Sequence, residues 1–184
     1  MGKKIPVVLD TDIGSDIDDT WALSMLLKSP ELDLKLVVTE TGNTTYRAKI
    51  VAKMLEAGGR TDVPVGIGIH QDDRLGPQSA WVEGYDLSAY PGAVHKDGVK
   101  ALIDTIMKSP EPITLICIGP LPNVAAALEI QPSIAERSRF IGMHGCLRRS
   151  PLEYGDGGGG VVAEYNVVTD PRACRKAFTA LWEM

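Results

Sequence analysis

Short apolar runs rich in branched side chains alternate with amphipathic stretches along this chain, and turn residues separate them. IPVVLD (residues 5–10), LDLKLVVTE (32–40), VPVGIG (63–68), ITLICIG (113–119) and, more weakly, RFIGMHG (139–145) read as strands. Between them, helical periodicity covers 17–28, 44–59 with a glycine C-cap, 97–108 and 121–130, and a last helix follows Asp170–Pro171. In the first helix Ile17, Trp21, Met25 and Leu26 fall on one side at helical spacing. Residues 70–95 show no period and carry Trp81, Tyr85 and Tyr90; so long a stretch is expected to be functional or partly helical. Alternation of this kind implies an α/β fold, a mostly parallel sheet with helices on both faces. No composition shift or repeat divides the chain, so 1–184 reads as a single domain.

Charge and cysteine usage narrow the function. The balance of 19 Lys+Arg against 24 Asp+Glu leaves a net charge of −5, and no basic cluster offers a nucleic-acid surface. Cys117, Cys146 and Cys174 form no C-x-x-C pair, which argues against structural zinc and for buried free thiols in a reducing compartment. The apolar run of the N-terminus stops at Asp10, too short for a signal peptide or a membrane span. The expectation is a cytoplasmic enzyme or binding domain without membrane or nucleic-acid partners.

Chemistry concentrates after the first strand. Residues 10–19 read DTDIGSDIDD, five carboxylates in ten positions. Asp18 and Asp19 would sit in the first turn of the following helix, where the dipole favours negative charge. A capped helix start explains one or two of these acids, but the mutual repulsion of five calls for a cation. Carboxylates without cysteine or paired histidine select a hard ion, Ca²⁺ or Mg²⁺. An EF-hand loop is excluded, because its bidentate twelfth position would be Trp21. A D-x-D at the end of a first strand also occurs in haloacid-dehalogenase-type phosphatases, where Asp10 would be the nucleophile and Asp12 the acid/base. In that reading Gly14 stands in the Thr/Val place.

LDTDIGSDIDDTWAL resembles the N-terminal signature of the nucleoside hydrolase family, D-x-D-x-G followed by an acid pair and an apolar helix, here with two extra residues before the pair. ETGN (40–43), LICIGPLPNVAAAL (115–128) and AEYNVVTDP (163–171) agree with the family in order. The resemblance implies a Rossmann-like fold and Ca²⁺-dependent hydrolysis of the N-glycosidic bond of a ribonucleoside, with Ca²⁺ chelating vicinal ribose hydroxyls and the attacking water. Carried over by motif, Asp12 would be ligand and general base, Asp19 a second ligand, and Ile118 a ligand through its carbonyl. Asp18, Asn43, Glu164 and Asn166 would hold the sugar, and Asp10 would support the shell by hydrogen bonding. Self-association is a further implication. Acids around the ring suit an oxocarbenium-like transition state.

Other readings stand beside these roles. Asn43 could be a helix cap. Glu164 and Asn166 share a face if the segment is extended, and a solvated strand edge would be the ordinary explanation of them. GDGGGG (155–160) satisfies G-x-G-x-x-G, but no strand leads into it, so it reads as a loop rather than a dinucleotide site. An Asn that the family carries before the glutamate falls here in the glycine run, near Gly158. His70, His95 and His144 are candidate acids for the leaving base or ordinary loop histidines, and Trp81 and Tyr85 could stack on a base or pack under the loop. Family members extend past the closing RKAFTALWEM with a further metal-ligating Asp and, in many, a His that protonates the base. Two carboxylate ligands and one carbonyl fall short of the about six to eight oxygens that Ca²⁺ takes. Weak calcium binding and slow or absent turnover are therefore expected of this polypeptide alone. A phosphatase and a non-catalytic riboside-binding module remain the alternatives.

Overall fold

A computed structural model describes residues 2–146 and 163–183. Among these, six strands form one sheet: β1 (Ile5–Thr11), β2 (Leu32–Thr39), β3 (Val65–Ile67), β4 (Val94–His95), β5 (Ile113–Cys117) and β6 (Ser138–Gly142). Their order is β4-β3-β2-β1-β5-β6, and every pairing is parallel. The helices are α1 (Asp18–Lys28), α2 (Thr44–Ala57), α3 (Gly98–Lys108), α4 (Pro122–Ile130), α5 (Tyr165–Thr169) and α6 (Pro171–Phe178).

Successive strand residues point to opposite faces, and each face has its own core. Val7, Leu9, Leu34 and Val37 pack under α1 and α2. Val8, Leu36, Val38, Leu115 and Cys117 pack under α3, α4 and α6. This double cover is why the strands read as unbroken apolar runs rather than alternating ones. The aperiodic residues 68–93 are the crossover from β3 to its parallel neighbour β4. They contain two short 3₁₀ turns, Ser79–Val82 and Leu87–Ala89, so the partly helical expectation holds. The glycine ending of α2 also holds: Gly59 has φ +66°, and Arg60 N–H donates to the Leu55 carbonyl at 2.8 Å.

Two local expectations need correction. The inward stripe of α1 is Asp19, Leu23 and Leu26, spaced i, i+4, i+7. Ile17, Trp21 (67% exposed) and Met25 (71%) face outward instead. The rotation of α1 follows from Asp19, which turns inward to accept a hydrogen bond from Thr11 Oγ1. The segment with Glu164 and Asn166 is not extended: Glu164 is the N-cap of α5, its carboxylate accepting from the N–H groups of Asn166 and Val167. Cys117 and Cys174 are buried free thiols as expected, whereas Cys146 is half-buried. No helix among the described residues is long and apolar enough to cross a membrane.

Chain order turns away from β1 in both directions, to β2 on one side and β5 on the other. The carboxyl ends of β1 and β5 therefore frame the crevice where sheets of this class bind ligands. The two faces of α1 predict unequal mutational costs: Leu23→Ala should cost about 2–5 kcal/mol and Trp21→Ala less than about 0.5, measured by urea unfolding.

Candidate active site

The crevice holds a cleft of about 470 Å³ whose lining includes Asp12, Asp18, Asp19, Ile118, Glu164 and Asn166. That volume suits a small molecule. Asn43 lines an adjoining hollow, and Ser15 and Tyr165 border both. Asp10 lies beneath the floor, wholly buried. Thus the four sequence segments carrying the expected residues meet at one end of the sheet.

Each side chain is held by the element that delivers it. Asp10 ends in a carboxyl whose Oδ1 accepts from Asn123 Nδ2 at 2.9 Å, while Oδ2 has no partner among the described residues. Asn123 also donates to the Thr39 carbonyl (3.1 Å) and accepts from Ile69 N–H (2.9 Å), so one α4 side chain ties together the ends of β1, β2 and β3. Asp19 accepts from Thr11, and its carboxyl lies within hydrogen-bonding reach of Asp12. Asp18 is exposed and accepts from Asp19 N–H at 3.0 Å. Ile118 follows β5 directly, its N–H donating to the Asp10 carbonyl at 3.0 Å. Asn166 Nδ2 donates to the carbonyls of Ile118 (3.0 Å) and Met143 (2.9 Å), anchoring α5 to the cleft wall. Asn43 caps α2, its Oδ1 accepting from Tyr46 N–H at 2.9 Å.

Several contributors carry no sequence assignment. Glu40, the residue after β2, is wholly buried beside Asp10 and Asp12; its Oε2 accepts from Thr41 Oγ1, and its Oε1 has no partner among the described residues. A Cβ on Gly119 would collide with Glu40 Oε1 and lie 2.6 Å from Asp12 Oδ1 and 2.9 Å from the Asp12 main-chain nitrogen, so only glycine allows this approach. Arg47, buried on α2, donates to main-chain carbonyls of both acid-bearing loops. Glu40 and Asn123 lie within motifs legible in the sequence, but Arg47 sits in an ordinary helical stretch with nothing to mark it.

Crowding of carboxyls governs the electrostatics. Burial raises Asp10 to about 7, with Asp12 adding to the rise. Asp19 is pushed up to about 8 by burial and the neighbouring Asp12 charge. Asp12 rises through burial, opposed by the Arg47 charge, and Glu40 rises well above the usual range for the same reason. Asp16 is raised first by its hydrogen bond with Asp18. Among the described residues no three His, Cys, Asp or Glu side chains already form a metal cage. The donors are nonetheless all hard oxygens, and two of them, Asp10 Oδ2 and Glu40 Oε1, are buried without a partner. A proton or a hard divalent cation meets that deficit, so the donor set fits such an ion.

None of the candidate histidines lines the cleft. His144 Nε2 donates to the Gly119 carbonyl at 2.9 Å and its ring stacks on Phe140, with burial lowering its basicity. His70 pairs with Asp73 at the surface, and His95 is exposed on β4. Trp81 and Tyr85 pack around Lys53 on the outer side of α2, and Tyr85 hydrogen-bonds Glu56, so neither stands at the cleft. The GDGGGG run and Gly158 lie outside the described residues.

The chain as a whole has known counterparts. The non-specific ribonucleoside hydrolase RihC of Klebsiella pneumoniae subsp. pneumoniae is 33% identical over 187 residues, covering 95% of this chain and 58% of RihC. The pyrimidine-specific ribonucleoside hydrolase RihA of Enterobacter sp. is 32% identical over 185 residues, covering 95% of this chain and 56% of RihA. The chain thus spans less than two thirds of the length of these relatives. Among solved structures, the plant nucleoside hydrolase PpNRh1 superposes with a TM-score of 0.79 at 28% identity, covering 97% of this chain and 58% of that one. An inosine-uridine preferring nucleoside hydrolase of Bacillus anthracis shares the fold with a TM-score of 0.78 at 22% identity, covering 98% and 63%. Residues 7–184 match the family described as inosine-uridine preferring nucleoside hydrolase, and the chain belongs to that family.

Proposed function

We propose that this chain supplies the sugar-binding and water-activating side of a ribonucleoside hydrolase, which cleaves the N-glycosidic bond to give ribose and a base. The observation that carries the reading is the meeting of Asp12, Asp18 and Asp19 with Ile118, Glu164 and Asn166 in one cleft above two unpartnered carboxyl oxygens. Asp12 and Asp19, with the Ile118 carbonyl, would hold Ca²⁺. Bound there, the ion supplies a hard Lewis acid that grips vicinal hydroxyls and makes water more acidic.

The residues of the chain do the rest. Asp12, lining the cleft beside Asp19, takes a proton from the attacking water. Asp18 and Asn43 bind ribose hydroxyls from one side, and Glu164 and Asn166 from the other. Negative charge around the ring stabilises the positive sugar as the base departs. The phosphatase alternative needs an accessible Asp10 nucleophile, whereas this carboxyl is wholly buried and bonded to Asn123. Self-association and a cytoplasmic location extend the same reading; the outward Ile17, Trp21 and Met25 of α1 support the former.

A reducing-sugar assay across a nucleoside panel tests the proposal. Slow, calcium-dependent release is expected, abolished by chelation and reduced about 10²–10⁴-fold by Asp12→Ala. Ribose or nucleoside binding with no cleavage above the Asp12→Ala level would instead indicate a binding module. Stability provides an independent check. Asp10 and Asp19 titrate higher folded than unfolded, so the native state holds extra protons between about pH 4 and 8. The metal-free protein should therefore lose thermal stability as pH rises through that window, and calcium should reduce the loss; a flat or rising Tm without metal would contradict the raised values.

A further inference from the structure

We propose that Arg47 is a positioning residue that locks the acid loop after β1 to the turn after β2, so that the carboxylates and Asn43 face one sugar. The inference rests on the riboside-hydrolysing reading above. Arg47 lies one turn into α2, just past the Asn43 cap, and only 8% of its surface is exposed. Its Nε donates to the Thr41 carbonyl at 2.7 Å. One terminal nitrogen donates to the carbonyls of Asp12 and Ile13 (2.9 Å to the latter) and to Ser15 Oγ at 3.0 Å. A single planar fork therefore holds both loops through their main chains.

The turn it holds needs holding. Thr41 has φ +59° and Gly42 φ +63°, and for a β-branched residue such as Thr41 this is a strained conformation. Strain of that kind persists only where the surroundings over-determine it. Here Arg47 fixes the Thr41 carbonyl, while Gln71 bonds the N–H and carbonyl of Gly42. The opposite loop is also unusual at Gly14, φ +103°, whose carbonyl accepts from Tyr46, the neighbour of Arg47 on α2. Released from the fork, Thr41 relaxes, Asn43 swings with it, and Asp12 loses its fixed distance from Asn43. Lysine keeps the charge but cannot reproduce a fork of fixed geometry.

Two measurements test this. In the first, terbium luminescence (as a calcium stand-in) and ribose calorimetry compare wild type with Arg47→Lys, Arg47→Met and Leu102→Val, a core change on α3 far from both loops, each monitored for Tm. Both Arg47 variants should bind ribose at least tenfold more weakly, Lys no better than Met, while Leu102→Val stays within threefold. A Lys variant with wild-type ribose affinity, or losses that merely follow Tm across all three variants, would overturn the inference. If wild type binds neither terbium nor ribose, the functional reading fails and the second measurement decides for Arg47. Hydrogen exchange of the wild-type chain should show the amides of 12–16 and 41–43 opening as one unit, with equal protection. Independent opening of the two loops would also overturn the inference, whatever the variants do.

Discussion

Four carboxyls, Asp10, Asp12, Asp19 and Glu40, are packed into the end of the sheet, and the buried Arg47 bonds directly to their loops. Charges of one sign repel strongly where water is excluded, and burial alone disfavours each ionised form. The fold meets this with fixed hydrogen bonds: Asn123 to Asp10, Thr11 to Asp19, Thr41 to Glu40. What those bonds leave over, two orphaned oxygens and several raised pKa values, is a standing demand for protons or a hard cation. The site is costly for the fold and useful for chemistry for the same reason.

The parallel sheet makes that arrangement possible. Carboxyl ends of β1, β2 and β5 lie side by side, so residues distant in sequence arrive together without any long-range design in the loops. Gly119 lets the end of β5 approach Asp12 and Glu40, and α5 is pinned back onto Ile118 by Asn166. The last link joins the acid loop to the Asn43 turn, and it runs through a helix rather than the sheet.

Strand positions were legible because doubly covered strands leave continuous branched runs, and the acid cluster was legible because its repulsion has no ordinary structural use. The path of the β3 to β4 crossover and the two-residue β4 are not readable, since short 3₁₀ turns and so brief a strand leave no period to find. The rotation of α1 is not readable from hydrophobicity, because the polar Asp19 shares the buried side with Leu23 and Leu26 while Trp21 and Met25 face outward. Glu164 and Asn166 share the cleft through a capped helical turn rather than a strand, because the glutamate bonds its own following amides. Arg47 had no signature, because its acceptors are backbone carbonyls and any sequence supplies those.

The central claim is that buried, partly protonated carboxyls give way to a divalent cation. Calcium calorimetry near pH 7 in buffers of differing ionisation enthalpy reads this directly. Weak binding is expected, with a Kd of about 10⁻⁴–10⁻³ M, accompanied by proton release that disappears by about pH 9. Absence of calcium binding at millimolar concentration, or binding at pH 7 with no proton released, would contradict it.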